Sequence, residues 1–307
     1  MSGERQIISA SRRTDIPAAY TDWFFERLRA GHCWYRNPFG GKLHRVSLRP
    51  ENVIAFVFWS KWFAPLLRRL DELERTGYRS FFHFTITGYP RPLEARVPPL
   101  ERAIPQLVEL GRRAGAENVV WRYDPIVIAD SMSASWHLER FARLADALAG
   151  STTRVYISFV SMYKKTGRNL ADWSRLTGSG LLRRDDAAAL ELTARMAALA
   201  AARCMKLHSC CDDSLAAAGA AKGHCIDAEA IRRLVGAPHL DLPAAPSREQ
   251  CGCCRSRDIG AYDTCPLGCS DCYANASPEA GRQGFRRVDR HADILAPESV
   301  GGSQLDG

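Results

Sequence analysis

Apolar residues recur along the chain as short continuous runs, separated by longer stretches of helical period. The runs are Ile7–Ser11, Val53–Ser60 (VIAFVFWS), Ser80–Gly88 (SFFHFTITG), Val119–Ile128 (VVWRYDPIVI), Arg154–Ser161 (RVYISFVS) and Met205–Cys210. Runs of that length bounded by polar residues predict strands. Between them the pattern predicts helices over Pro17–Ala30, Phe63–Arg75, Pro98–Ala114, Ala134–Leu148 and Asp185–Arg203, with a short one over Asp227–Leu234. Proline opens the first of these, where its missing N–H has no partner to lose. Gly77 stops the second.

Strands that are apolar on both faces belong to a parallel sheet covered by helices. No G-x-G-x-x-G turn follows any of them, so a dinucleotide-binding sheet lacks support. The expectation is α/β, a partial or full (β/α) TIM-like barrel over residues 1–222. A C-terminal cysteine-rich metal-binding segment, 223–307, is expected to fold over the barrel mouth. Its charged, glycine-containing tail after Asn275 is expected to fray at its end.

In a barrel the chemistry sits at the C-terminal ends of the strands. Those ends carry Arg12, Arg13 and Asp15; Lys61; Arg122 and Asp124; and Lys164 and Lys165. Polar residues appear wherever strands emerge into loops, which accounts for part of this. It accounts less well for Arg122, inside the apolar VVWRYDPIVI run. An unpaired buried ion costs several kcal/mol, so Arg122 needs a partner. Asp124, Asp15 or a bound anion are the candidates.

The net charge of +8, with 42 Lys and Arg against 34 Asp and Glu, favours anionic ligands and leaves nucleic acid open. Arg183, Arg184 and the segment from Arg282 to Arg287 could form a basic stripe, or equally a solvated surface. No run reaches the length of a membrane span and the start lacks a secretory pattern, so the expected location is cytoplasmic.

Cysteine usage changes the picture most. Of 11 cysteines, ten lie from Cys204 onward. In a reducing compartment such clustering points to metal. Cys33, the exception, reads as a small core residue. In "TCPLGCSDCYANA", Cys265, Cys269 and Cys272 are spaced C-x3-C-x2-C. Three thiolates leave one iron of a [4Fe–4S] cluster open to a small molecule. The loop resembles that of radical S-adenosylmethionine (SAM) enzymes, and its C-Y ending resembles spore photoproduct lyase. That resemblance implies a cluster on the three cysteines, SAM as a possible second cofactor with Tyr273 and Asn275 beside it, and an electron donor as partner. It departs from the pattern in three ways. The loop follows six strands instead of one, Asp271 stands where an aromatic residue is usual, and no G-G-E-like segment follows the second strand.

The whole chain also resembles one bacterial family, catalogued as domain of unknown function 1848. "IISASRRTDIPA", "VFWSKWFAPLL", "VVWRYDPIV", "YISFVSMYKKTGRN", "GHCIDAEAI" and "CGCCRSRDIGAYDTCPLGCSDCYAN" carry the likeness, over about residues 5 to 280. The resemblance implies a second metal set of Cys210, Cys225, Cys251 and Cys253, holding either an auxiliary [4Fe–4S] cluster or zinc; the plainer alternative is four free thiols. Cys211 and Cys254 are then extras. Three functions follow: a radical SAM-like iron–sulfur enzyme on a small anionic substrate, a zinc-stapled barrel that binds a ligand, or a nucleic-acid-directed repair-type protein.

Overall fold

The computed structural model describes residues 5–296. The tail beyond 296, where fraying was expected, lies outside them. The strands are β1 (Gln6–Ala10), β2 (His32–Arg36), β3 (Leu43–Ser47), β4 (Val53–Ser60), β5 (Ser80–Thr85), β6 (Val119–Ile126), β7 (Arg154–Phe159), β8 (Lys206–Cys210), β9 (Ala221–Gly223) and β10 (Arg257–Asp258). The helices are α1 (Ile16–Ala19), α2 (Thr21–Ala30), α3 (Ala64–Leu67), α4 (Leu70–Arg75), α5 (Leu100–Ala114), α6 (Ala134–Leu148), α7 (Lys164–Thr177), α8 (Asp186–Ala201), α9 (Ala228–Val235) and α10 (Pro278–Arg287).

Eight strands form one sheet in the order β10-β1-β4-β5-β6-β7-β8-β9, every ladder parallel. From β1 onward the order follows the chain without reversing. A doubly wound sheet would reverse at a switch point; a barrel-type sheet winds one way. Among the described residues β9 and β10 do not pair, so the sheet is a partial barrel with two edges. β2 and β3 form a separate antiparallel hairpin.

Alternation divides the strand residues between two cores. Ile8, Phe56, Phe58, Phe82, Phe84, Trp121, Tyr123, Val155 and Ile157 face the layer made by α2, α5, α6 and α8. Ile7, Ala55, Val57, Phe81, Val120 and Tyr156 face the other way, onto α9 and onto Cys210, Cys225, Cys253 and Cys254. α9 thus fills the inner side of the curved sheet. Asp227 starts it by accepting the Glu229 and Ala230 amides, and Gly236, at φ 66°, stops it.

The segment after residue 222 supplies β10, which pairs with β1 at Ile8 and Ser9 and extends the sheet. The helix expected over 17–30 bends at Tyr20, whose ring meets Phe285 edge-on and whose hydroxyl donates to Thr264 O at 2.7 Å. Cys33 is fully buried, as expected of a core residue. Among the described residues no helix is long and apolar enough to cross a membrane.

Candidate functional site

The strand C-termini converge on one mouth, and both cysteine groups lie there. The first group sits on the loop between β10 and α10. Asp15, directly after β1, accepts from Ser60 Oγ at 2.7 Å, from the Lys61 amide at 2.9 Å and from the Ala18 amide at 3.0 Å. It thereby ties the ends of β1 and β4 together. Burial pushes its carboxyl up to about 6, against the pull of those donors and of the Lys61 ammonium. The Lys61 Nζ pairs with Glu94, which also accepts from Thr87 Oγ1 at 2.7 Å. Glu94 bridges Cys269 through its backbone, and the neighbouring amides of Arg96 and Ser270 bond Leu267 O at 3.0 Å and Leu93 O at 2.9 Å. The segment from Pro90 to Val97 therefore clamps the cysteine loop.

The three thiols face this charge cluster. Cys265 accepts the backbone amides of Asp15 and Leu267. Cys272 Sγ accepts the Ala274 amide at 3.3 Å. Cys269 faces Lys61, Asp271 and Glu94. Burial pushes all three thiols up. Asp271 is buried with Oδ1 unpartnered. The loop is set from behind by α10, whose Gly281 and Gly284 press on backbone. A Cβ at Gly284 would stand 1.7 Å from Asp263 O, and one at Gly281 would stand 2.4 Å from Cys265 O.

The second group lies on the inner side of the sheet. Cys210 ends β8, Cys225 follows β9, and their sulfurs are 3.3 Å apart. Cys253 lies close enough to interact with Cys225, and Cys251 with Cys253. Arg122 Nη1 donates to Cys225 Sγ at 3.2 Å, while its Nη2 pairs with Asp124. The partner that the VVWRYDPIVI run called for is therefore Asp124, together with a sulfur. Arg12 lies between the two groups, close enough to interact with Cys225, Cys253 and Tyr273. His83 is stacked on Trp59 at 5.0 Å, and its Nε2 meets Cys225 O at 2.8 Å.

Several expected site residues have other work. Arg13 is bound by Asp258 through Oδ1 at 3.0 Å and the carbonyl at 2.6 Å, and by Arg36 O at 3.2 Å. With its donors so engaged, it holds the β1–β10 corner and is not free for substrate. Lys164 is exposed at the start of α7, because that segment continues as a helix and not as a loop over the mouth. Lys165 reaches the rim, 5.0 Å above the Tyr262 ring. Asn275 is buried and donates to Cys265 O at 2.8 Å, so it braces the loop. Tyr273 is half exposed and donates to Arg12 O at 2.7 Å. Arg184 is paired with Asp212 and Asp186, and Arg282 with Glu279, so neither belongs to a free basic stripe.

Glu94, Asp258, Asp271, His83 and Arg248 are site residues that the sequence pattern did not single out. Two surface cavities, of about 300 and 330 Å³, lie away from the cysteines, one beside Tyr35 and Arg257, the other between Pro90, Trp136 and Trp173. Among the described residues, no three or more His, Cys, Asp or Glu side chains converge as a finished metal-binding set.

The chain matches the family model "Domain of unknown function (DUF1848)" over residues 7–274. No curated protein matches it. A solved structure with which it aligns is the tetrameric deoxyribose phosphate aldolase from Aeropyrum pernix. The identity is 14%, the alignment covers 72% of this chain and 96% of that one, and the TM-score is 0.25.

Proposed function

The chain belongs to the DUF1848 family, and we propose that its mouth is the active site of an iron–sulfur, radical SAM-like enzyme acting on a small anionic substrate. The observation that carries this reading is the placement of Cys265, Cys269 and Cys272. They share one loop at the strand C-termini, Cys269 buried and Cys265 and Cys272 half-buried, facing Asp15, Lys61 and Glu94. Backbone amides already point at two of the three sulfurs, the outer-layer arrangement that orients and tunes thiolate ligands.

The donor set fits a [4Fe–4S] cluster with one iron left to a small molecule. When bound and reduced, such a cluster supplies one-electron reduction of that molecule, for which SAM is the candidate. The chain's own residues do the rest. Asp15 fixes the spacing of β1 and β4 beneath the loop. Lys61 carries positive charge beside Cys269, offsetting the negative charge of a three-thiolate cluster. Arg12, its side chain 27% exposed, is the cation best placed to meet an anion entering between Tyr273 and Trp59.

The test is anaerobic purification and reconstitution, followed by iron and sulfide assays, the visible spectrum, and a search for SAM cleavage with a chemical reductant. About four iron and four sulfide per chain and a brown protein are expected, with the iron lost in Cys269→Ser. Absence of iron after anaerobic reconstitution would overturn the reading.

A further inference from the structure

We infer that Cys210, Cys225, Cys251 and Cys253 form a second metal site that takes a single zinc-class ion, not a cluster, held in a guanidinium cage. The inference is independent of the iron at the first loop.

Spacing decides between ion and cluster. A tetrahedral ion with Zn–S near 2.3 Å sets its sulfurs about 3.8 Å apart. In a cubane each thiolate sits on its own iron at a separate corner, so the sulfurs stand much farther apart. Cys210 and Cys225 are 3.3 Å apart, already contracted to the scale of one ion. Cys253 lies close enough to interact with Cys225, and Cys251 with Cys253, so the four thiols cluster around the 210–225 pair. By contrast, among the described residues no hydrogen bond joins the sulfurs of Cys265, Cys269 and Cys272 to one another; Cys265 and Cys272 accept backbone amides and Cys269 faces Lys61.

Charge points the same way. Zinc with four thiolates carries −2, and binding releases the thiol protons. Arg122 Nη1 lies 3.2 Å from Cys225 Sγ, Arg248 Nη2 lies 3.8 Å from Cys210 Sγ, and Arg12 faces Cys225 and Cys253. The Ile226 amide adds a donor to Cys253 Sγ at 3.3 Å. The carboxylates facing this cage are Asp124 on Arg122 and Asp258 near Arg12; three guanidinium groups around a dianionic site are complementary to it. Cys210, Cys225 and Cys253 are each at most 9% exposed, which shields the site. Cys251 is the more exposed member of the set. Cys211 Sγ lies 3.9 Å from Cys210 Sγ and beside Arg248; it is the competing fourth ligand, which the variants below distinguish from Cys251. The ion would pin the edge strands β8 and β9 to the chain just before β10, and so to the start of the first loop.

The experiment uses the full chain, purified anaerobically and dialysed against metal-free buffer. Metals are counted by native mass spectrometry and elemental analysis. About one zinc per chain is expected, falling at least tenfold in Cys225→Ser and retained in Cys211→Ser. Cobalt supplied alone in place of zinc should give the intense visible bands of a tetrahedral all-sulfur site, a readout that needs no variant to fold. Less than about 0.1 zinc with iron near eight per chain would overturn the inference in favour of a second cluster. Retention of zinc in Cys225→Ser, loss in Cys211→Ser, or octahedral cobalt bands would overturn it too. Loss of iron with zinc intact would refute only the first site's reading.

Discussion

Asp258→Ala should be among the most damaging single changes in this protein, although Asp258 carries no thiol. Its carboxylate accepts from Ser9 Oγ at 2.6 Å, Ser11 Oγ at 2.6 Å, the Arg12 amide at 2.7 Å, Arg13 Nε at 3.0 Å and the Gly260 amide at 3.0 Å. Burial works to raise its pKa, but the Arg13 guanidinium and the Ser and amide donors outweigh it and hold the carboxyl below its usual range. Truncation leaves a guanidinium that is only 7% exposed without its counter-ion. Breaking a buried pair from one side costs about 3–5 kcal/mol. The hydrogen bonds overlap with that figure, so they are not added to it. With a urea m-value near 3 kcal/mol/M, the unfolding midpoint should fall by about 1–2 M. Asp258→Asn, which keeps an acceptor, should fall by about half as much. Arg13→Met in the Asp258→Ala background should restore part of the loss, because it removes the stranded charge. The sign of the pH dependence follows from the depressed pKa. The carboxylate's contribution is present above the unfolded value near 3.9 and is lost as pH falls through the lower folded value. The gap between wild type and Asp258→Ala should therefore be full at pH 7 and narrow in strong acid. A midpoint shift below about 0.3 M at pH 7, or no rescue by Arg13→Met, would refute the reasoning.

Gly284→Ala should lower iron at the first loop while leaving zinc at the four-thiol set, since the added carbon would strike Asp263 O; paired metal analysis checks this. Arg122→Met should speed zinc loss to a chelator at least tenfold, because Cys225 and Asp124 lose their shared cation; a colorimetric zinc-release assay reads it. His137 is held down to about 4 by burial and receives the Tyr123 hydroxyl at 2.8 Å. Its depressed pKa means that stability is full above about pH 6.5 and falls by up to about 3 kcal/mol as pH drops toward 4. Urea unfolding across that range should show the slope in wild type and a shallower one in His137→Phe.

The sheet was legible because six of its strands bury both faces, and a continuous apolar run needs no partner to be recognised. Val53–Ser60 was read to the residue. β9 and β10, with three and two residues, are too short to carry any period. α7 was missed because two of its four buried positions, Thr166 and Asn169, are polar, which hides the face that Leu170 and Trp173 complete. α10 was missed because its buried residues are Gly281 and Gly284, whose contribution is closeness and not apolar area. Ser277 and Pro278 were the readable signal there, a cap followed by a first-turn proline. In the site, Arg122's need for a partner could be read from the sequence, as could Asp124 as a candidate. Asp258 could not: it lies 245 residues from Arg13, and only the parallel pairing of β10 with β1 brings them together.

That pairing also sets an order of assembly. A chain leaving the ribosome from its N-terminus completes seven strands of the sheet before β10 emerges, and the thiols of the first loop emerge later still. β1 waits through that interval as an open edge, with the backbone groups that will meet Arg257 and Asp258 unpaired. When β10 arrives, it closes that edge and delivers Cys265, Cys269 and Cys272 to a mouth already built. Nascent chains released before Asp258 should therefore be prone to self-association and unable to retain iron, however much of the sheet they have formed.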